Sequence, residues 1–177
     1  TASGSGGIAI IRLSGANAHA ILDRIFIPHR TRLTLDSHRL YYGQAIDPVH
    51  RKPIDQVMAV RMAAPATYTR EDVAEIHCHG GAMAARTILA AVIDAGARPA
   101  EPGEFTRRAF LNGRIDLTQA EAVAEMIGAR SSRQAELAAR QMAGDLTQRF
   151  GRIHAELIEL LGQLEVALDF PDEDLEI

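Results

Sequence analysis

The sequence predicts an α+β fold: an N-terminal mixed or antiparallel sheet with helices, followed by an all-α segment with a long helix. Three observations predict it. Between Thr1 and Ala100, short apolar or alternating runs bounded by turn residues are interleaved with amphipathic stretches. Beyond Pro102–Leu117 (PGEFTRRAFLNGRIDL), which carries Pro-Gly and Asn-Gly turn signals, every periodic segment is helical. From Leu146 through Phe150, Ile153, Leu157, Leu160 and Leu164 to Leu168, apolar residues recur at heptad-like steps. The expected division is residues 1–115 for the sheet domain and 116–177 for the helical part.

Ile8–Leu13 (IAIIRL), after the glycine-rich lead-in Ser3–Gly7, reads as a buried strand. Ser14 or Asn17 can cap a helix running to about Phe26, with Ala18, Ile21, Leu22 and Ile25 on its apolar face; Pro28 ends it. Arg39–Ile46 and Ile54–Met62 read as a hairpin across the polar DPVHRKP connection. Val73–His79 alternates, which puts Val73, Glu75, His77 and His79 on one face and Ala74, Ile76 and Cys78 in the core. Gly80–Gly81 open a helix to about Ala95, with Gly96 as its cap, and Arg98–Ala100 is read as a short strand. In Pro102–Leu117, Glu104–Leu111 is a short helix with Phe105 and Ala109 inward. Thr118 and Glu121 offer a capping box for the next helix. Ser131 or Ser132 starts a third, read as unbroken to Phe170, which would span roughly 55 Å. Its glycines, Gly144, Gly151 and Gly162, each weaken it by about 1 kcal/mol relative to Ala, so packing against further helices has to hold it.

Net charge is −4 and the chain is 47% hydrophobic and 24% charged, which excludes global disorder and argues against a protein that coats nucleic acid by bulk charge. The single cysteine, Cys78, excludes an intrachain disulfide and points to a reducing compartment. No apolar run approaches the roughly 20 residues of a membrane span. The phosphate-binding pattern G-x-x-x-x-G-K-[ST] occurs nowhere in the sequence.

Two groups of residues invite a chemical reading. Arg12, inside its strand, is either an edge arginine facing solvent or a guanidinium held rigidly to grip an anion. Glu75, His77 and His79 are a solvated strand face, a metal site, or an organic-ligand site. In the last, a strand-borne carboxylate accepts paired N–H donors from a heterocycle.

Four stretches then carry a family resemblance: GGIAIIRLSG (Gly6–Gly15), YTREDVAEIHCHGG (Tyr68–Gly81), PGEFTRRAFLNGRIDLTQAEAVAEMI (Pro102–Ile127) and LDFPDED (Leu168–Asp174). In order, they resemble the N-terminal portion of the tRNA modification GTPases of the MnmE (TrmE) family. The resemblance implies a fold like the folate-binding module of the glycine-cleavage T protein, then a helical domain interrupted by a Ras-like GTPase domain. This chain would stop just before that insertion and would not hydrolyse GTP by itself. The resemblance further implies a tetrahydrofolate cofactor in its 5-formyl or methylene form. GTP, Mg²⁺ and K⁺ belong to the GTPase domain. The implied partners are a second copy through the N-terminal domain, the flavoprotein MnmG, and tRNA, whose wobble uridine is modified at position 5. No membrane is involved, and the location is cytoplasmic in bacteria or mitochondrial in eukaryotes. Carried over residue by residue, the folate contacts fall on Arg12, Glu75 and Arg114, which favours the organic-ligand reading of Glu75. No catalytic residue or metal ligand is implied in this stretch. His79, Arg107 and Asn112 are motif members without an assigned role. Two residues depart from the family pattern: Arg70 stands where glycine is usual, strained if the turn needs a positive φ, and His77 stands where histidine is uncommon. The alternative function is a dimerisation scaffold without folate binding.

Overall fold

A computed structural model describes residues 6–29 and 34–169. The Ser3–Ser5 part of the lead-in and the acidic tail from Phe170 lie outside the described residues. The chain divides into two compact units, Thr1–Arg114 and Ile115–Ile177.

The first unit is a five-stranded antiparallel sheet in the order β1-β5-β4-β3-β2. Its strands are β1 (Ile8–Ser14), β2 (Phe26–Pro28), β3 (Arg39–Ile46), β4 (Pro53–Met62) and β5 (Val73–His79). Helices α1 (Ala18–Ile25) and α2 (Ala82–Asp94) cover one face, and α3 (Glu104–Leu111) closes the unit. The alternation in β5 is borne out, since Ala74, Ile76 and Cys78 are buried among Leu13, Leu22, Ile25, Ile88 and Val92. Each fully buried Leu or Ile contributes about 1.5–3 kcal/mol relative to exposure. The opposite face carries no helix among the described residues of this unit, and Ile8, Ile10, Leu40, Tyr42 and Met58 are exposed.

The sequence reading missed β2. The chain leaves α1 at Phe26 directly into extended backbone, and a three-residue strand is too short to show alternation. Pro28 is tolerated because β2 is an edge. Arg98–Ala100 forms no strand. Asn17 caps α1 by position but without a side-chain bond, and the other candidate, Ser14, bonds Thr69 and Glu71 instead. Gly80 is needed for close approach: a Cβ there would lie 2.0 Å from the carbonyl oxygen of Gly6.

The second unit holds α4 (Leu117–Gly128), α5 (Ser132–Met142) and α6 (Asp145–Asp169). The cap of α4 is Asp116, not Thr118: Asp116 Oδ1 accepts the Gln119 N–H at 2.9 Å, and Gln119 Oε1 accepts the Asp116 N–H at 3.0 Å. The expected single helix is also broken. Gly144, at φ +91°, ends α5 in the left-handed conformation and lets α6 start anew. The seam residues Phe150, Ile153, Leu157, Leu160, Leu164 and Leu168 are all at least half exposed. No helix among the described residues is long and apolar enough to cross a membrane.

Candidate functional site

The antiparallel register of β1 on β5 sets Arg12 directly opposite Glu75. Arg12 Nε donates to Glu75 Oε1 at 2.6 Å, and His77, next on the same face, donates from Nε2 to Glu75 Oε2 at 3.0 Å. The Glu75 side chain is 13% exposed and that of Arg12 46%. Burial pushes the Glu75 carboxyl up, but the hydrogen bonds from His77 and Arg12 and the Arg12 charge outweigh it and hold the group below its ordinary value. Glu75 is therefore ionised at neutral pH. Each oxygen has one protein donor and keeps lone-pair capacity for another.

His79 is engaged elsewhere: its backbone N–H and its Nδ1 both meet the Asp55 carboxylate, at 3.0 and 2.7 Å. The two imidazoles thus serve separate carboxylates. Among the described residues, no group of three or more His, Cys, Asp or Glu side chains is placed to hold a metal ion. Cys78, on the inner face, has its thiol pushed up by burial and by the nearby Asp55 charge.

Arg114 forms no hydrogen bond or ion pair with Arg12 or Glu75 among the described residues. Its guanidinium lies 4.8 Å over the ring of Tyr68, and the Tyr68 hydroxyl meets Thr106 Oγ1 at 3.1 Å. The Tyr68 loop is nevertheless tied to β1. Buried Thr69 bonds Ser14 Oγ at 2.6 Å, and Ser14 is two residues from Arg12 on the same strand face. Asn112 holds the loop from the other side, its Nδ2 donating to Thr69 O at 2.6 Å. Asn112 therefore has a structural role as a clamp. Arg107 makes only an exposed pair with Glu101 at 3.5 Å.

Sequence reasoning missed the ionic network beneath this loop. Glu104, 3% exposed, takes Arg98 at 2.5 and 2.9 Å, Arg108 at 2.9 Å and the Glu101 N–H at 2.9 Å. The Arg98 hydrogen bonds, then the Glu101 N–H, hold its carboxyl far below the usual range. Arg108 continues to Glu71 at 2.9 Å, and Ser14 donates to the same Glu71 oxygen at 2.8 Å. The available signal was an acid at the first position of α3 with arginines on both sides, one of them four residues on. Gly103, at φ +75°, makes the turn that delivers it. A cleft of about 300 Å³ opens beside this network, between β1, α1, α2 and α3. Arg12, Phe105 and Arg108 line it, but Glu75 and Arg114 do not, so the cleft adjoins the Arg12–Glu75 pair at Arg12 without including Glu75.

The arrangement offers an ionised carboxylate on a rigid strand with a guanidinium beside it, and an arginine-capped tyrosine on the adjoining loop. That set suits a flat, nitrogen-rich ring carrying carboxylates.

Comparison with known proteins is consistent along the whole chain. The family profile described as "GTP-binding protein TrmE N-terminus" matches residues 1–114, and that described as "MnmE helical domain" matches residues 117–177. A "tRNA modification GTPase MnmE" from Syntrophotalea carbinolica is 53% identical over 177 residues, covering 100% of the chain and 39% of the relative. Proteins of the same description from Geobacter sulfurreducens and Bacillus licheniformis are 49% and 48% identical, covering 99% and 98% of the chain and 38% of each relative. The chain thus spans about two fifths of the length of the curated relatives it matches.

Proposed function

Since the chain belongs to the MnmE (TrmE) family, we propose that it is the folate-binding, self-associating part of a tRNA modification GTPase. The observation that carries this reading is the Arg12–Glu75 pair, with a mostly buried, ionised carboxylate at the sheet surface. The donor set fits a tetrahydrofolate. Glu75 would accept the amino group and ring N–H of the pterin, Arg12 would neutralise the carboxylate and face a ring carbonyl, and Arg114 would meet the carboxylate tail. When bound, the folate supplies the one-carbon unit for position 5 of the wobble uridine. The protein residues bind and orient it. The β1–β5 ladder holds Arg12 and Glu75 rigid, while the Thr69–Ser14 and Asn112–Thr69 bonds hold the loop under Arg114.

GTP binding and hydrolysis would reside outside these residues, as the missing phosphate-loop pattern suggests, and the redox step would fall to the flavoprotein partner. Pairing with a second copy through the first unit is supported by the uncovered sheet face with exposed Ile8, Ile10, Leu40, Tyr42 and Met58. Titrating 5-formyltetrahydrofolate into the full-length protein by calorimetry tests the folate reading, and the absence of binding at high micromolar ligand refutes it. Sedimentation with and without the ligand tests self-association. A dimer that binds no folate would favour the scaffold alternative.

A further inference from the structure

Around the site, arginines fall into two classes. Arg12, Arg98, Arg107 and Arg108 each pair with a carboxylate. Arg70 and Arg114, both exposed, pair with none among the described residues. The Tyr68–Arg70 segment and the Asn112–Arg114 turn exchange these two side chains. Arg114 follows Gly113 and lies over Tyr68. Arg70, two residues beyond Tyr68, reaches the same turn and donates from Nη1 to Asn112 O at 3.2 Å. That nitrogen is 3.6 Å from where a Cβ on Gly113 would sit. Arg70 also holds φ +57°, a left-handed conformation that only glycine adopts freely. Glycine would meet the backbone's demand at that position, yet the residue that bears the strain is an exposed arginine.

We propose that Arg70 and Arg114 form a cationic jaw for the carboxylates of the ligand's glutamate tail, and that Arg70 gives the site a preference for a longer, more anionic tail. The proposal rests on the folate reading and extends it to a further residue and a further feature of the ligand. Two planar forks, one stacked on Tyr68 and one held at the Asn112–Gly113 turn, match carboxylates at successive positions of a γ-linked chain. Arg114, stacked on Tyr68, takes the first carboxylate, and Arg70 takes the next. The net charge of −4 disfavours the competing use of the pair as an RNA phosphate contact.

The test uses full-length protein and three probes: 5-formyltetrahydropteroate without glutamate, the monoglutamate and the triglutamate of 5-formyltetrahydrofolate. Arg70→Gly suits the backbone, so its melting temperature should match or exceed wild type. It should leave pteroate affinity unchanged and cut the triglutamate-to-pteroate affinity ratio roughly three- to tenfold, an effect that shrinks as salt rises. Arg70→Lys, which keeps charge but loses the fork, should fall between. If wild type binds none of the three probes, the folate reading fails and the jaw with it. If wild type binds them but Arg70→Gly leaves the ratio unchanged, the jaw alone is overturned. A variant that keeps the ratio but loses affinity for an anticodon stem-loop overturns it in favour of the RNA contact.

Discussion

Replacing Glu75 by Gln removes one charge at the centre of the site while keeping the side chain's size, so it separates a ligand-binding carboxylate from a structural one. Charge-assisted hydrogen bonds contribute about 1.5–3 kcal/mol each. The amide retains one acceptor but presents its NH₂ group to any ligand donor facing the other position. A loss of about 2 kcal/mol in folate binding follows, roughly a 30-fold weakening. Stability should respond far less. The partner guanidinium of Arg12 is 46% exposed, so solvent screens the pair and its contribution is at most about 1 kcal/mol. The remaining amide oxygen can still accept from Arg12 or His77. Calorimetric titration with 5-formyltetrahydrofolate measures the first quantity, and urea unfolding of the ligand-free protein measures the second. Affinity within twofold of wild type would refute the assignment of Glu75 to the ligand. A stability loss of several kcal/mol would refute it differently, by showing that Glu75 is a strut of the sheet.

Other predictions come from the network and the turns. Glu71, Glu75 and Asp55 are each lowered by hydrogen bonds and charge that outweigh burial. A carboxylate with a depressed folded pKa stabilises above its unfolded value and loses that contribution as pH falls. The urea midpoint should therefore hold steady from neutral pH to about 5 and drop below about pH 4.5. Glu71→Gln should blunt that drop, and an unchanged profile would count against the pairing. Gly80→Ala, whose Cβ would meet Gly6 O at 2.0 Å, should cost about 1–3 kcal/mol. Gly81→Ala, with nothing within 4 Å, should stay within about 0.5 kcal/mol. Equal urea midpoints for the two variants would refute the close-approach argument. In the second unit, Asp116→Ala removes the cap of α4 and should cost about 1 kcal/mol, whereas Thr118→Val should cost less. The reverse order would restore Thr118 as the cap.

What the sequence determined by itself is local. Val73–His79 alternates with period two, so the face carrying Glu75 was legible before any partner strand was known, and it stands. The bounds of α3 and the β3–β4 hairpin were likewise legible, because turn residues and apolar spacing act within a few positions. Tertiary structure decided the pairings. Arg12 meets Glu75 across 63 residues because β1 joins the edge next to β5, and no periodicity within β1 could announce that neighbour. Glu104 reads as a polar helix start, and only the approach of Arg98 and Arg108 offsets the cost of its burial. Ser14 was free to cap α1 until the Thr69 loop claimed its hydroxyl. Gly144 could have remained inside a helix, as Gly151 does, since glycine permits either conformation and its surroundings select one. Alternation and turn chemistry reveal which way a side chain faces. What it faces depends on residues far along the chain, brought there by the burial of the whole sheet.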